Sequence, residues 1–174
     1  MKTIEIRRHS IRSKPGDHLS QAGVTLARRI GENIGPFERV VTSTLPRAFE
    51  TAIAMGFAVD EQVELMSTYG PYVEAEVPWP QSFAAYAKAV KRGNAAAKYA
   101  KSLADYYARV ANSLVESGAA LVINHGVVVE VGVVASFPTI DYESWGDEAD
   151  YCEGARLFWQ DEKFVNAEVL RASS

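Results

Sequence analysis

Three short apolar segments, each followed by a segment of helical character, constrain what this chain can fold into. They cover residues 3–8, 39–43 and 119–123, and the last is continuously apolar, as is typical of a strand buried on both faces of a parallel sheet. A strand–helix–strand connection places its two strands parallel in one sheet and packs the helix on a face. The pattern therefore predicts a three-layer α/β/α fold with a mostly parallel central sheet.

Helix signals between the strands support this architecture. Ser20 is a suitable N-cap, apolar residues recur every four positions after it, and Gly35-Pro36 supplies a stop, so we predict a helix over residues 21–34. Pro46 is a favourable first residue for a second helix. This helix would carry Arg47 in its first turn.

The sequence pattern of residues 81–171 predicts three more helices and a β-hairpin. Residues 81–117 have high helical propensity with a break at Gly93-Asn94, which indicates two helices. Residues 127–135 are rich in valine, but they follow the third strand, so strand–helix alternation predicts a helix there. Residues 155–159 and 164–171 flank a polar turn and predict a β-hairpin.

The composition is that of a single globular domain spanning residues 1–174, with 48% hydrophobic and 23% charged residues. The net charge of −4 gives no reason to expect a nucleic acid partner, and no apolar run approaches the roughly 20 residues that cross a membrane. The lone Cys152 excludes an intramolecular disulfide, and the first residues lack signal-peptide features. We therefore expect a cytoplasmic protein.

Two histidines and two arginines fall at the carboxyl ends of the predicted strands. Arg8 and His9 follow the first strand, Arg47 follows the second and His125 the third. Ligands bind at that edge of open α/β sheets, and arginine matches phosphate geometry with paired N–H donors. Each residue alone is explained as well by a structural hydrogen bond or an ion pair, but their joint placement predicts a phosphate site.

Four ordered blocks carry a resemblance to a known family. They are Arg8-His9-Ser10, the Leu-Ser-Gln-Ala-Gly block at 19–23, the Ser-x-x-x-Arg-Ala-x-x-Thr-Ala block at 43–52, and Ile-Asn-His-Gly at 123–126. The chain thereby resembles branch one of the histidine phosphatase, or phosphoglycerate mutase-like, superfamily. In its short length, the chain is most similar to the small phosphohistidine phosphatases of bacteria.

The resemblance implies a phosphatase that acts through a covalent phosphohistidine on His9. Arg8, Arg47 and His125 would hold the charge of the transferring phosphoryl group, so that no metal or other cofactor is needed. The substrate would be a phosphomonoester, either a phosphorylated small molecule or a phosphoprotein, or a protein phosphohistidine. Water would then release phosphate from His9.

Two positions beside the histidines depart from the family pattern. Ser10 stands where members usually have glycine, and Asn124 stands where they often have serine or threonine. We expect both polar side chains to contact substrate. Arg12 occupies a position at which the other branch carries a phosphate-binding arginine, and it is either a further ligand or an exposed loop residue.

The proton donor for the leaving group is the largest departure. Many branch-one members have a glutamate where this chain has Met66, and methionine cannot donate a proton. Residues 60–80 contain three prolines and no clear period, which predicts an irregular surface loop of the kind that often lines a binding site. Glu74 or Glu76 in this loop could supply the carboxyl, and we take Glu74 as the candidate acid.

Two other functions remain open at this point. The chain could be a phosphoglycerate mutase-type phosphotransferase, or a non-catalytic module that binds phosphate or phosphopeptides. The Cys-x3-Arg spacing at Cys152 and Arg156 is too short for a cysteine phosphatase loop. Tyr69, Tyr72 and Trp79 are candidates for the wall of the pocket mouth, while substrate identity and oligomeric state are not indicated.

Overall fold

A computed structural model describes residues 1–172, which form one sheet flanked by helices on both faces. The sheet holds six strands in the order β3-β2-β4-β1-β5-β6. Strands β1 to β4 run parallel, whereas β5 and β6 are antiparallel at one edge. The strands are β1 (Lys2–Arg8), β2 (Arg39–Ser43), β3 (Glu61–Val63), β4 (Ala119–Asn124), β5 (Gly154–Gln160) and β6 (Lys163–Leu170).

Six α-helices cover the two faces of the sheet within the described residues. They are α1 (Gln21–Gly31), α2 (Pro46–Ala54), α3 (Gly70–Glu76), α4 (Phe83–Lys91), α5 (Ala95–Ser113) and α6 (Val128–Ser136). Short 3-10 helices lie at Glu64–Met66 and Tyr142–Trp145. The predicted three-layer α/β/α fold with a mostly parallel sheet is confirmed.

The alternation of side chains along β4 explains how both faces are covered. Leu121 and Ile123 pack under α1 and α2, whereas Ala120 and Val122 belong to the larger core beneath α4, α5 and α6. Both sets are fully buried. Successive residues of a strand point to opposite faces, so a continuously apolar strand is what a sheet covered on both sides requires.

The predicted helix boundaries hold with small shifts. Ser20 caps α1, since its Oγ accepts a hydrogen bond from the Gly23 N–H at 3.0 Å. The helix ends at Gly31 rather than 34, while Ile34 still packs against the same core from the turn that follows. Residues 127–135 do form a helix, and nearly all of its residues are buried, which is why valine is acceptable on every side.

The prediction of an irregular loop over residues 60–80 is wrong. The segment contains β3, a 3-10 turn and α3. Strand β3 pairs with β2 at the sheet edge. It spans only three residues, which is too short for an alternation of apolar and polar residues to be visible in the sequence. Helix α3 begins at Gly70-Pro71, and a proline in the first turn of a helix is favourable rather than a sign of a loop.

The predicted C-terminal hairpin is confirmed as β5 and β6. Asp161 and Glu162 connect the strands with φ values of 51° and 59°. Two successive positive φ values are the geometry of the tight turns that match strand twist. No helix within residues 1–172 has the length and apolar character needed to span a membrane.

Candidate active site

The carboxyl edge of the parallel strands opens into a cavity of about 690 Å³. Strand β1 ends at Arg8 and is followed by His9, β4 is followed by His125, and α2 begins next to Arg47. The structure therefore brings together the four residues on which the sequence argument depended. The cavity is lined by Arg8, His9, Arg12, Lys14, Arg47, Ser67, Thr68, Tyr69, Gly70, Pro71, Glu74, Trp79, His125, Gly126, Val128 and Tyr151.

His9 lies at the centre with its two ring nitrogens in different environments. Nδ1 is 2.6 Å from the carbonyl oxygen of Ser10, so Nδ1 carries the proton and donates to it. Nε2 accepts a hydrogen bond from Arg47 Nε at 3.2 Å. Burial lowers the pKa of His9 to about 3, and Arg47 and Arg8 also favour the neutral ring, although the bond to Ser10 opposes them. The result is a neutral imidazole with a lone pair on Nε2.

Arg47 is fixed at both ends of its guanidinium. Its Nη1 donates to Asp17 Oδ1 at 2.7 Å, while Nε donates to His9. Asp17 comes from the loop that follows β1, so this ion pair ties the loop to the first turn of α2. Arg12 lies in the same loop, lines the cavity, and donates through Nη1 to the Gly16 carbonyl at 2.9 Å.

Arg8 enters the cavity from β1, with its side chain mostly buried. Its Nη1 donates to the Ala149 carbonyl at 3.2 Å and lies 3.6 Å from Asp150 Oδ1. Its Nε is buried and has no hydrogen-bond partner among residues 1–172. The guanidinium therefore keeps an N–H donor that no described residue accepts.

His125 faces His9 across the cavity, with the two ring centroids 5.2 Å apart. Its Nε2 lies 2.6 Å from Ser43 Oγ at the end of β2, and its Nδ1 is buried without a partner in the described part of the chain. Burial lowers the pKa of His125 to about 2, with further lowering by His9 and Arg47. Ser43 thus orients a second neutral imidazole beside the first.

Ser10 and Asn124 do not reach the cavity. Ser10 Oγ donates to the Gly23 carbonyl at 2.7 Å, and Asn124 Nδ2 donates to Tyr107 Oη at 3.0 Å. Both residues are fully buried and neither lines the cavity. The expectation that they contact substrate finds no geometric support, because their side chains point into the helical layers and hold the strand ends in place.

The candidate acids separate clearly in the structure. Glu76 caps α5, since its carboxylate accepts from the Ala95 and Ala96 N–H groups at 3.2 and 2.9 Å. Met66 is fully buried in the core. Glu74 is exposed and lines the cavity, so it is the carboxyl from that segment that can approach a leaving group.

Sequence reasoning missed several residues of the site. Tyr151 lies in the cavity wall with its ring centroid 5.8 Å from that of His9, and Lys14, Asp17 and Ser43 contribute charge or orientation. No motif marks Tyr151, whereas Ser43 belongs to the Ser-x-x-x-Arg block and could have been proposed from it.

The three aromatic residues suggested for the pocket mouth have different positions. Tyr69 and Trp79 line the cavity, but Tyr72 is 81% exposed and lies outside the wall. Within residues 1–172, no three histidine, cysteine, aspartate or glutamate side chains are grouped as metal ligands.

Solved structures share this fold over nearly the whole chain. Phosphoserine phosphatase from Entamoeba histolytica, solved with 3-phosphoglyceric acid, is 15% identical over 99% of this chain and 98% of its own, with a TM-score of 0.70. A mycobacterial glucosyl-3-phosphoglycerate phosphatase, solved with VO3, is 17% identical over 99% and 100%, with a TM-score of 0.70. Phosphoglycerate mutase from Bacillus anthracis is 13% identical over 94% and 90%, with a TM-score of 0.63.

These likenesses define the fold of the chain as phosphoglycerate mutase-like. No family model and no curated protein matches the sequence.

Proposed function

We propose that this chain is a metal-independent phosphatase of the histidine phosphatase type, with His9 as its nucleophile. The observation that carries the proposal is the state of His9. Its Nε2 is unprotonated and accepts a hydrogen bond from Arg47 inside a cationic cavity, and Nδ1–H donates to the Ser10 carbonyl. A nucleophilic imidazole needs this tautomer.

The reaction would proceed in two displacements at phosphorus. Nε2 of His9 attacks, a P–N bond forms, and the ester P–O bond breaks as the leaving oxygen takes a proton from the Glu74 carboxyl. Water then attacks the phosphohistidine and gives a proton to the Glu74 carboxylate, the P–N bond breaks, and inorganic phosphate leaves with His9 neutral again. Arg8 and Arg47 stabilise the phosphoryl oxygens throughout, and His125 can donate through its unpaired Nδ1.

The substrates that we propose are small phosphorylated molecules, and the solved structures with the same fold support this choice. Two of the neighbours named above are phosphatases, of phosphoserine and of glucosyl-3-phosphoglycerate, and the third is a phosphoglycerate mutase. The cavity of about 690 Å³ has room for a compound of that size, and Arg12 and Lys14 add positive charge at its wall.

Protein phosphohistidine is a second candidate substrate. Its leaving group is an imidazole nitrogen, whose departure requires less help from an acid than that of an alkoxide. The observation in its favour is that buried Met66 offers no proton and that Glu74 is exposed to solvent.

The first experiment is hydrolysis of para-nitrophenyl phosphate between pH 5 and 8 with EDTA present. We expect turnover by the native chain, none by His9→Ala and a severe loss in Arg47→Ala. Arg29→Ala is the matched control, because Arg29 is an exposed arginine of α1 outside the cavity. Its activity should equal that of the native chain.

Three outcomes would overturn the proposal. Full activity in His9→Ala would exclude the covalent histidine mechanism. Phosphate binding without hydrolysis of any ester would indicate a binding module. Transfer of the phosphoryl group between hydroxyls of phosphoglycerate, faster than its release, would indicate a mutase.

A further inference from the structure

The guanidinium of Arg8 lies against two aromatic rings. Its central carbon is 4.3 Å from the centroid of Tyr151 and 4.7 Å from the centroid of Trp79. Both distances are within the range in which a cation interacts favourably with the face of a ring. The two rings come from distant parts of the chain, one before α4 and the other before β5.

Trp79 is itself held against the backbone next to a catalytic histidine. A Cβ atom on Gly126 would clash with the six-membered part of the Trp79 indole. Residue 126 therefore has to be glycine for the indole to lie where it does. The ring is 38% exposed, so one part of it faces the cavity while another packs on Gly126 and Arg8.

Tyr151 is placed by the loop between the second 3-10 helix and β5. Its backbone N–H donates to Asp150 Oδ1 at 2.7 Å, and its ring contacts both Arg8 and His9. The same loop supplies the Ala149 carbonyl that accepts from Arg8 Nη1. Three contacts from two segments therefore fix this one guanidinium.

Aromatic rings pack against the guanidinium without using its N–H groups, which lie at its edges. One edge position of Arg8 is used by Ala149, and Nε has no partner within residues 1–172. Paired N–H bonds from arginine to phosphate form in the plane of the guanidinium, so contacts of the rings with Arg8 do not compete with them. The rings thus restrict the rotation that a free arginine would undergo.

We propose that Trp79 and Tyr151 are positioning residues that clamp Arg8 edge-on to the phosphoryl group. The inference rests on the proposed function only in that Arg8 binds phosphate. The clamp lowers the rotational freedom that Arg8 loses on binding, and the two ring contacts stabilise the cation. Gly126 is part of this clamp, because a side chain at that position would clash with the Trp79 indole.

The test measures affinity for inorganic phosphate, which does not require turnover. Isothermal titration calorimetry compares the native chain with Trp79→Leu, Trp79→Phe, Tyr151→Leu and Tyr151→Phe. We expect each leucine variant to bind phosphate about tenfold more weakly, and each phenylalanine variant to keep most of the affinity because a ring face remains. Tyr72→Leu is the matched control, since Tyr72 is exposed outside the cavity.

A double-mutant cycle separates positioning from direct contact with the leaving group. Lysine has no planar group to orient, so in the Arg8→Lys background Trp79→Leu should change phosphate affinity by less than about twofold. An undiminished effect in that background would show that the indole acts independently of Arg8 and would overturn the proposal. Urea unfolding of each variant separates a loss of folded protein from a loss of affinity.

Failure of the clamp is distinguishable from failure of the phosphatase mechanism. A native chain that hydrolyses esters through His9, with leucine variants that bind phosphate as tightly as it does, would reject the clamp alone. A native chain that binds phosphate without turnover, with weakened leucine variants, would keep the clamp and reject the mechanism.

Discussion

Nε2 of His9 and Nε of Arg47 lie 3.2 Å apart, so the arginine donates to the very atom that would attack phosphorus. A protonated Nε2 could not accept this bond, and the arginine therefore keeps the nucleophile unprotonated. When a phosphoryl group enters, its oxygens become the stronger acceptors, because they carry charge. Asp17 holds the other end of Arg47 during this exchange of partners.

Replacing Arg47 by lysine should lower kcat/KM for para-nitrophenyl phosphate by about 100-fold. Lysine keeps the charge but cannot bond Asp17 and a phosphoryl oxygen together from a rigid plane. Steady-state kinetics at pH 6 to 7 measure the effect, and Arg29→Lys on the exposed face of α1 serves as the control. A loss of about threefold or less would show that charge alone suffices at this position.

The three histidines should titrate differently in NMR. Burial holds the pKa of His9 at about 3 and that of His125 at about 2, so neither ring should change its protonation between pH 5 and 8. His18 is exposed, and its bond to Glu50 raises its pKa above the usual 6.5. The midpoint of His18 should therefore lie above 6.5, and Glu50→Gln should lower it. Titration of His9 near pH 6.5 would contradict the neutral nucleophile.

The fold and the location of the site follow from local patterns in the sequence. Apolar strand segments end at polar residues, and parallel strands bring those ends to one edge, so Arg8, His9, Arg47 and His125 could be placed together. The direction of a side chain next to a strand end is harder to predict from the sequence. Ser10 and Asn124 adjoin the two histidines in sequence, yet they face the helical layers because neighbouring residues point to opposite sides.

Contacts made between distant segments could not be predicted from one sequence. Tyr151 reaches His9 only because β5 pairs antiparallel with β1, which places the loop before β5 beside the carboxyl end of β1. The three-residue β3 is defined by its pairing with β2 rather than by its own composition. Glu74 and Glu76 are equivalent candidates for the acid in the sequence. The structure separates them, because the Glu76 carboxylate accepts hydrogen bonds from the N–H groups at the start of α5.

Glu74 should matter for esters with poor leaving groups and not for activated ones. Para-nitrophenolate leaves without a proton at neutral pH, whereas an alkoxide needs one. Glu74→Gln should therefore reduce turnover of glycerol phosphate by about 10-fold to 100-fold, on the order of an acid's usual contribution, and leave para-nitrophenyl phosphate nearly unchanged. Glu32→Gln is the control, because Glu32 is exposed at the end of α1 and lies outside the cavity. Equal effects of Glu74→Gln on both substrates would remove Glu74 from the role of acid.

Glu130 should make the folded state less stable as the pH rises. It is fully buried in α6, and burial raises its pKa from 4.5 to about 7, although the Ala149 N–H bond opposes the shift. The folded chain thus holds a proton that the unfolded chain has lost. Stability from this group is complete below pH 4.5 and declines through about pH 7, by about 3 kcal/mol in all.

Glu130→Gln should remove this part of the pH dependence. Glutamine keeps an acceptor for the Ala149 N–H and cannot ionise. Urea unfolding at pH 4.5 and pH 8 should show that the difference in unfolding free energy between native and variant shifts in favour of the variant at pH 8. Parallel curves for the two chains would mean that Glu130 does not ionise across this range.

The position of β1 in the sheet also determines when the site can exist. Its neighbours in the sheet are β4 and β5. Strand β1 (residues 2–8) can therefore form its hydrogen bonds on both sides only after residues 119–124 and 154–160 have been synthesised. A ribosome makes the His9 segment before either of the strands that support it. The site proposed around His9 therefore cannot assemble until β4 and β5 have been synthesised, and a fragment cut before β5 would lack the strand that pairs with β1 on its antiparallel side.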